Sequence, residues 1–308
     1  MIKVQYAARS ERWNTHEAPL RAAFADAGLA VDLRIDHAPE DVDYVVYAPN
    51  SDLQDFTPYT RCKAVLSLWA GVEKIVGNQT LTMPLCRMVD PGLTAGMVEW
   101  VTGHVLRYHL GIDNTLLTQD RWQPMVPPLA EERPITILGL GALGQACAEM
   151  LAQIGFPVTG WSRSPKSIEG IACSHGDAGL RDALATAEIV ILLLPDTPAT
   201  HNTLNRETLA LLPRGARIIN PGRGPLIDDD DLLASLDSGQ IGHATLDVFR
   251  VEPLPADHAY WAHSNVTVTP HIAAETRAIT AARVIAENIR RGEAAEPFLH
   301  QVDRSLGY

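Results

Sequence analysis

The 308-residue chain predicts an α/β protein built from two parallel-sheet domains, and three observations carry that prediction. Short runs of Ile, Val and Leu alternate with amphipathic stretches along most of the chain, the rhythm of βα units. Within the runs there is no regular polar alternation, as expected of parallel strands covered on both faces. One polar, Pro-rich stretch, Gln119 to Pro134, interrupts the rhythm, and the length suits two domains of roughly 150 residues each.

Ile2 to Tyr6, Val31 to Ile35, Val42 to Tyr47 and Ala64 to Leu68 read as the strands of the first domain. Between the first two, Trp13, Leu20, Phe24 and Ala27 share a helical stripe that Gly28 closes. The apolar-periodic segment Thr94 to Leu110 forms a helix leading into the second domain. There the strands are Ile135 to Leu138, Val158 to Trp161, Ile189 to Leu194, Arg217 to Asn220, Ala244 to Val248 and Val266 to Thr269, with helical patterns between them. A last helix, roughly Glu275 to Arg291, is expected to return the chain to the first domain before a polar tail.

Composition narrows the function classes. With 25 Lys and Arg against 37 Asp and Glu, the net charge of −12 repels polyanions, so no nucleic-acid partner is expected. The longest apolar run, Ile189 to Leu194, is too short to span a bilayer, and the opening residues lack an apolar secretion core, so a cytoplasmic protein without membrane attachment is expected. Cys62, Cys86, Cys147 and Cys173 form neither a CxxC pair nor a zinc-spaced cluster, and buried thiols are the expectation. Asp228 to Asp231 resembles a metal cluster, yet the run opens a helical stretch, Leu232 to Leu236, where carboxylates cap N–H groups; no metal site is expected.

Gly139-Leu140-Gly141-Ala142-Leu143-Gly144 is a GxGxxG run directly after a strand and before a helix, Gln145 to Ile154. In that setting the first glycine allows a tight turn, the second lets backbone approach a pyrophosphate, and the third lets helix and strand pack closely. Dinucleotide-binding folds that prefer NAD carry an acid at the end of the next strand. Here that place reads Trp161-Ser162-Arg163-Ser164-Pro165-Lys166, with no acid between Glu149 and Glu169. Arg163 and Lys166, with the hydroxyls of Ser162 and Ser164, suit a 2′-phosphate, so NADP(H) is expected over NAD(H).

Three groups fall at carboxyl ends of strands, where an open α/β sheet binds ligands. Arg223, in Asn220-Pro221-Gly222-Arg223-Gly224, offers a fork of donors that suits an α-keto carboxylate. His271 ends the last strand in Thr269-Pro270-His271, and Glu252 lies just past the preceding strand in Asp247 to Pro253. A carboxylate beside an imidazole raises its pKa and orients it, which suits a general acid near neutral pH. After a dinucleotide loop, the trio points to hydride transfer.

These segments resemble the D-isomer-specific 2-hydroxyacid dehydrogenases, in particular the glyoxylate/hydroxypyruvate reductase A branch. The resemblance runs through Ala70-Gly71-Val72, the GxGxxG loop, Trp161 to Arg163, Leu193 to Pro195, Asn220 to Gly224, Asp228 to Ser238, Asp247 to Pro255, Thr269 to Ala273, and the tail Val302 to Arg304 ending in Gly307-Tyr308. It implies a Rossmann-like coenzyme domain, 96–276, inserted in a flavodoxin-like substrate domain, 1–95 with 277–308, and a homodimer formed largely through the coenzyme domain. It implies that Arg223 binds the substrate carboxylate and carbonyl, that backbone N–H groups of Ala70 to Val72 hold the carboxylate, and that His271, paired with Glu252, delivers the proton. Asp247 would hold the nicotinamide carboxamide, and Ala142, Leu143, Leu194, Pro195, Pro221, Gly222 and Ala273 would line the cofactor. The cleft between the domains is expected to close on the substrate.

The expected reaction is NADPH-dependent reduction of small 2-oxoacids such as glyoxylate and hydroxypyruvate. Two alternatives are an NAD-linked dehydrogenase acting on another 2-hydroxyacid, phosphoglycerate-like, and a dinucleotide-sensing binding protein on the same fold. One departure from many relatives is Trp69, where they have Gly before the carboxylate-binding turn. It is expected to narrow the pocket, with Tyr47, Trp13 and Trp100 either completing an aromatic wall or packing in the core.

Overall fold

The computed structural model describes residues 1–307. Tyr308, the last residue of the family-like tail, lies outside the described residues. The chain divides into two compact units: Met1–Leu93 with the residues from Glu275 onward, and Thr94–Ala274.

In the first unit β1 (Ile2–Ala7), β2 (Val31–Arg34), β3 (Tyr44–Tyr47), β4 (Ala64–Ser67) and β5 (Leu85–Cys86) form a parallel sheet in the order β2-β1-β3-β4-β5. This is the flavodoxin-like doubly wound order. Side chains alternate between two cores. Tyr44, Val46 and Leu66 join Leu20 and Phe24 of α1 (Ser10–Asp26) and Ile285 and Ile289 of α8 (Ala278–Glu293). Val45, Tyr47 and Val65 join Phe56, Tyr59, Ile75 and Leu81. Because both faces are covered, β3 reads as continuous apolar sequence with no polar alternation.

The edge strand β5 has only two residues and gave no signal in the sequence. The tail protects it: Gln301 bridges Cys86, the Val302 N–H donates to the Leu85 carbonyl at 2.8 Å, and the Arg304 guanidinium donates to the carbonyls of Val76, Asn78 and Leu81. An unpaired edge is thereby blunted.

The second unit begins within α2 (Pro91–His109), followed by α3 (Ile112–Leu117). Its seven strands are β6 (Ile135–Leu138), β7 (Val158–Ser162), β8 (Ala172–His175), β9 (Ile189–Leu192), β10 (Ala216–Asn220), β11 (Ile241–Leu246) and β12 (Val266–Val268). They lie in the order β12-β11-β10-β9-β6-β7-β8, all parallel. The chain reverses direction across the sheet between β6 and β9, the Rossmann pattern that opens a ligand crevice at that point. Strand β8 was not legible: Ala-Cys-Ser-His has no β-branched residue and pairs only along one side, with β7.

α4 (Ala142–Ile154) starts three residues earlier than expected, inside the glycine loop itself, and runs to Gly155 at φ +111°. α5 (Gly176–Ala185) and α6 (Arg206–Leu211) cover the remaining crossovers. α7 (Asp229–Asp237) is capped by Asp228, whose carboxylate accepts from the Asp231 N–H at 3.1 Å. Cys62, Cys86 and Cys147 are buried and Cys173 is partly so, all as free thiols. Among the described residues no helix is long and apolar enough to cross a membrane.

Candidate active site

The glycine loop is shaped by contacts that exclude side chains. Gly139 sits at φ +106°, and a Cβ there would lie 2.5 Å from the Leu193 carbonyl oxygen. At Gly144 it would lie 1.8 Å from the Gly139 oxygen, so helix and strand approach only because both residues lack one. A Cβ on Gly141, the N-cap of α4, would meet nothing within 4 Å, and no side chain caps that helix. The first-turn N–H groups of Ala142, Leu143 and Gly144 therefore lack intrahelical acceptors and face the side on which a phosphate would be received. These residues fit a dinucleotide.

Beside the loop, Gly139 N–H donates to the Trp161 carbonyl at 2.8 Å, and the Trp161 indole is buried, donating to the Gly176 carbonyl. Trp161 thus shapes the turn from beneath. Ser162 is also buried, and its hydroxyl donates to the Ser164 carbonyl at 2.8 Å, closing the turn. Arg163, Ser164 and Lys166 are exposed, and the Lys166 ammonium donates to the Leu140 carbonyl in the glycine loop. One cation is therefore held against the dinucleotide loop. Leu194, Pro221, Gly222 and Ala273 are buried and Pro195 partly so, each at the end of a strand or in the turn after it.

Arg223 follows β10 in a turn braced by Asn220, which is buried. Its side chain accepts from the Gly222 N–H at 3.1 Å and donates to the Arg223 carbonyl at 2.9 Å. The Asn-Pro-Gly sequence signalled the turn, but not that the Asn side chain would hold it.

His271 and Glu252 meet as expected: Nδ1 lies 2.8 Å from Oε2, while Oε1 accepts from the Phe249 N–H at 3.0 Å. The hydrogen bond that His271 donates to Glu252 raises the imidazole pKa above its ordinary value, helped by the charges of Glu252 and Asp247 and opposed by burial and Arg223. Burial alone would raise the Glu252 carboxyl, but the bonds from His271 and Phe249, with the charges of His271 and Arg223, bring it below its ordinary value. Since a carboxylate favours the imidazolium, Glu252→Gln is expected to lower the His271 midpoint, read by imidazole NMR titration. A midpoint unchanged in that variant would show that the pair does not set the protonation.

His271 has φ +54°, which a side chain adopts only when its surroundings impose it. Asp247 imposes it. Its carbonyl accepts from the His271 N–H at 2.9 Å, and its carboxylate accepts from the N–H groups of Ile272 and Ala273, both at 2.9 Å, and from the Thr269 hydroxyl at 2.6 Å. Asp247 is fully buried. Through both carboxylate oxygens Asp247 also holds the segment that carries the imidazole, a role no sequence spacing announces.

In the first unit the Ala70-Gly71-Val72 turn follows β4. Ser67 anchors it, accepting from the Trp69 N–H at 3.0 Å and donating to the Trp69 carbonyl at 3.1 Å. The N–H groups of Ala70 to Val72 bond to nothing among the described residues, as an anion-receiving turn requires. Of the two readings of the aromatics, core packing holds for Tyr47: it is fully buried on the opposite face of the sheet from Trp13 and Trp69, its hydroxyl donating to the Leu53 carbonyl. Trp100 belongs to the other unit and packs against His104 with the two rings tilted by 54°.

A family model described as D-isomer specific 2-hydroxyacid dehydrogenase, NAD binding domain, matches residues 104–273. The glyoxylate/hydroxypyruvate reductase A of Serratia proteamaculans (strain 568) is 41% identical over 257 residues, 80% of this chain and 82% of that protein. The protein of the same name from Klebsiella pneumoniae (strain 342) is 39% identical over 282 residues, 89% of each chain. Among solved structures, a D-isomer specific 2-hydroxyacid dehydrogenase from Xanthobacter autotrophicus Py2, in complex with NADPH and MES, matches with a TM-score of 0.93 and 41% identity over 100% of this chain and 99% of that one. The NADPH-dependent glyoxylate/hydroxypyruvate reductase from Sinorhizobium meliloti, in complex with NADP and sulfate, matches with a TM-score of 0.85 and 34% identity over the same shares. On this similarity, and on a fold and motif order that agree with it, the chain belongs to the D-isomer specific 2-hydroxyacid dehydrogenase family.

Proposed function

We propose that the protein reduces small 2-oxoacids, glyoxylate and hydroxypyruvate foremost, to the 2-hydroxyacids, with NADP(H) preferred over NAD(H). The observation that carries this is the His271–Glu252 pair at 2.8 Å in the same Rossmann unit as Arg223 and a cradle shaped for a dinucleotide. Relatives with up to about two-fifths of their residues identical are named glyoxylate/hydroxypyruvate reductase A, and two similar structures contain NADPH or NADP.

The cradle residues Gly139, Gly141, Ala142, Leu143 and Gly144 would hold the pyrophosphate, and Arg163, Ser164 and Lys166 the 2′-phosphate. The bound dinucleotide supplies the hydride. His271 donates its Nε2 proton to the substrate carbonyl oxygen, Nδ1 being turned to Glu252. Arg223 draws in the carboxylate and stabilises the negative charge that grows on that oxygen. Ala70 to Val72 supply backbone N–H groups to the carboxylate. The product from hydroxypyruvate is expected to be D-glycerate, checked by chiral chromatography; L-glycerate or a racemate would contradict the proposed geometry.

We place Trp69 at the substrate side of that turn, half-packed on the sheet core, where it restricts bulk. Trp69→Gly is expected to raise the rate on bulky 2-oxoacids relative to glyoxylate. Unchanged relative rates across a series of 2-oxoacids would leave Trp69 with a packing role only.

A homodimer is part of the proposal. Leu117, Trp122 and Val126 of the coenzyme unit are 80%, 97% and 89% exposed, large apolar side chains of the kind that a partner surface covers. The cytoplasm is the proposed compartment, four free thiols being what a reducing environment maintains.

A further inference from the structure

Arg250 stands between the two segments that carry Arg223 and Glu252. It follows Phe249, whose N–H donates to Glu252 Oε1. The main chain here lies so close to Gly224 that a Cβ on that glycine would sit 2.0 Å from the Phe249 carbonyl carbon and 2.4 Å from the Arg250 nitrogen. The loop after Arg223 and the loop before Glu252 are therefore in backbone contact, and a small slip of either moves the other.

The Arg250 guanidinium clamps this contact. It donates to the Ile227 carbonyl, at the far end of the turn that begins with Arg223, and to the Asn202 side-chain oxygen. Nη1 lies 2.8 Å from His201 Nε2, and Nε lies 3.5 Å from an Asp229 carboxylate oxygen at the start of α7. The receiving side is itself fixed. The Asn202 amide donates to Asp228 at 3.0 Å, its N–H donates to the Pro225 carbonyl at 2.9 Å, and its backbone is held at φ +51°. The Tyr260 hydroxyl donates to Asp229 at 2.9 Å, and His258 Nε2 lies 3.9 Å from the same residue. The charged or titratable groups around the guanidinium are thus His201 and Asp229, with Asp228, His258 and Tyr260 behind them.

We propose that Arg250 is a positioning residue for the proton-delivering pair: its guanidinium locks the segment bearing Glu252 onto the segment bearing Arg223. The proposal rests on the assignment of Arg223, Glu252 and His271 above. None of the four partners just named belongs to that trio, so the effect of Arg250 passes through the backbone of residues 249–252. A planar fork serves partners on two loops and a helix start at once, which a single ammonium does not reproduce.

The test uses the full-length variants R250M and R250K, with His271→Ala as control. Reduction of glyoxylate by NADPH is measured across pH, and the His271 imidazole is titrated by NMR without cofactor. R250M is expected to lose roughly 10- to 100-fold in kcat, the scale of a displaced catalytic group, with the KM for NADPH changed by less than about twofold. Its His271 midpoint is expected to fall toward the ordinary imidazole value, because Glu252 is no longer held against the ring, and R250K is expected to recover part of both losses. A lower melting temperature with kcat and midpoint unchanged would make Arg250 a stability residue and overturn the proposal. If R250M does not fold, Asn202→Ala loosens the clamp from the receiving side and is expected to lower the midpoint by a smaller amount; an unmoved midpoint there overturns it equally. The two readings fail separately. An active His271→Ala removes the catalytic assignment and the proposal with it, whereas an inactive His271→Ala beside an unmoved midpoint in R250M removes the clamp alone.

Discussion

His271→Ala and Arg223→Ala are each expected to lower kcat/KM for 2-oxoacid reduction by about 10²-fold or more, with NADPH affinity close to that of the unaltered protein. In the proposed reaction the imidazole supplies the proton that neutralises the alkoxide; without it, water would have to do so with no positioned donor. The backbone ties of the His271 segment run through main-chain groups and Asp247, so the alanine variant keeps them and its loss falls on kcat. In the same proposal Arg223 acts at two stages, on the carboxylate in the ground state and on the oxygen in the transition state. Its removal is therefore expected to raise the 2-oxoacid KM as well as lower kcat. Because the His271 pKa is raised, reduction should persist above the ordinary imidazole pKa of about 6.5 and decline as pH climbs through the raised one. Oxidation of the hydroxyacid needs the neutral ring and should rise over the same interval. Steady-state rates in both directions across pH check these signs, and near-normal turnover in either alanine variant would refute the assigned role.

The cofactor turn carries the second large effect. The double variant Arg163→Ala, Lys166→Ala is expected to raise the KM for NADPH by about 10-fold or more for each cation removed, since a charge-assisted hydrogen bond contributes about 1.5–3 kcal/mol. NADH, lacking the 2′-phosphate, should lose far less. Lys166 also donates to the Leu140 carbonyl, so a modest loss common to both cofactors is expected from slackening of the glycine loop. What decides is the ratio. Equal losses on NADPH and NADH would reduce the turn to a structural brace.

Much of this site is readable without coordinates because its chemistry is local in sequence. The glycine loop, the basic turn after β7 and the Asn-Pro-Gly-Arg turn each complete their work within a few residues, and GxGxxG has a steric meaning that the Gly139 and Gly144 contacts repeat. The pairing of His271 with Glu252 was legible because both follow adjacent strands, β12 and β11. What stayed hidden depends on distant contacts. Asp247 reads like any acid after a strand, and only the return of residues 269–273 over it shows that its carboxylate holds that segment. For Tyr47 two placements stay open in the sequence because β3 is apolar on both faces, leaving no alternation to tell which face the ring takes. The edge strands β5 and β8 owe their pairing to neighbours rather than to their own propensity.

On the proposed reading one chain joins a 2′-phosphate-selective turn to a 2-oxoacid-reducing trio. The most direct test is the rate of oxidation of NADPH and of NADH by the purified protein, side by side, with glyoxylate and with hydroxypyruvate. Faster turnover of both acids with NADPH is the predicted result; a preference for NADH, or binding of both cofactors with no oxidation of either, would contradict it.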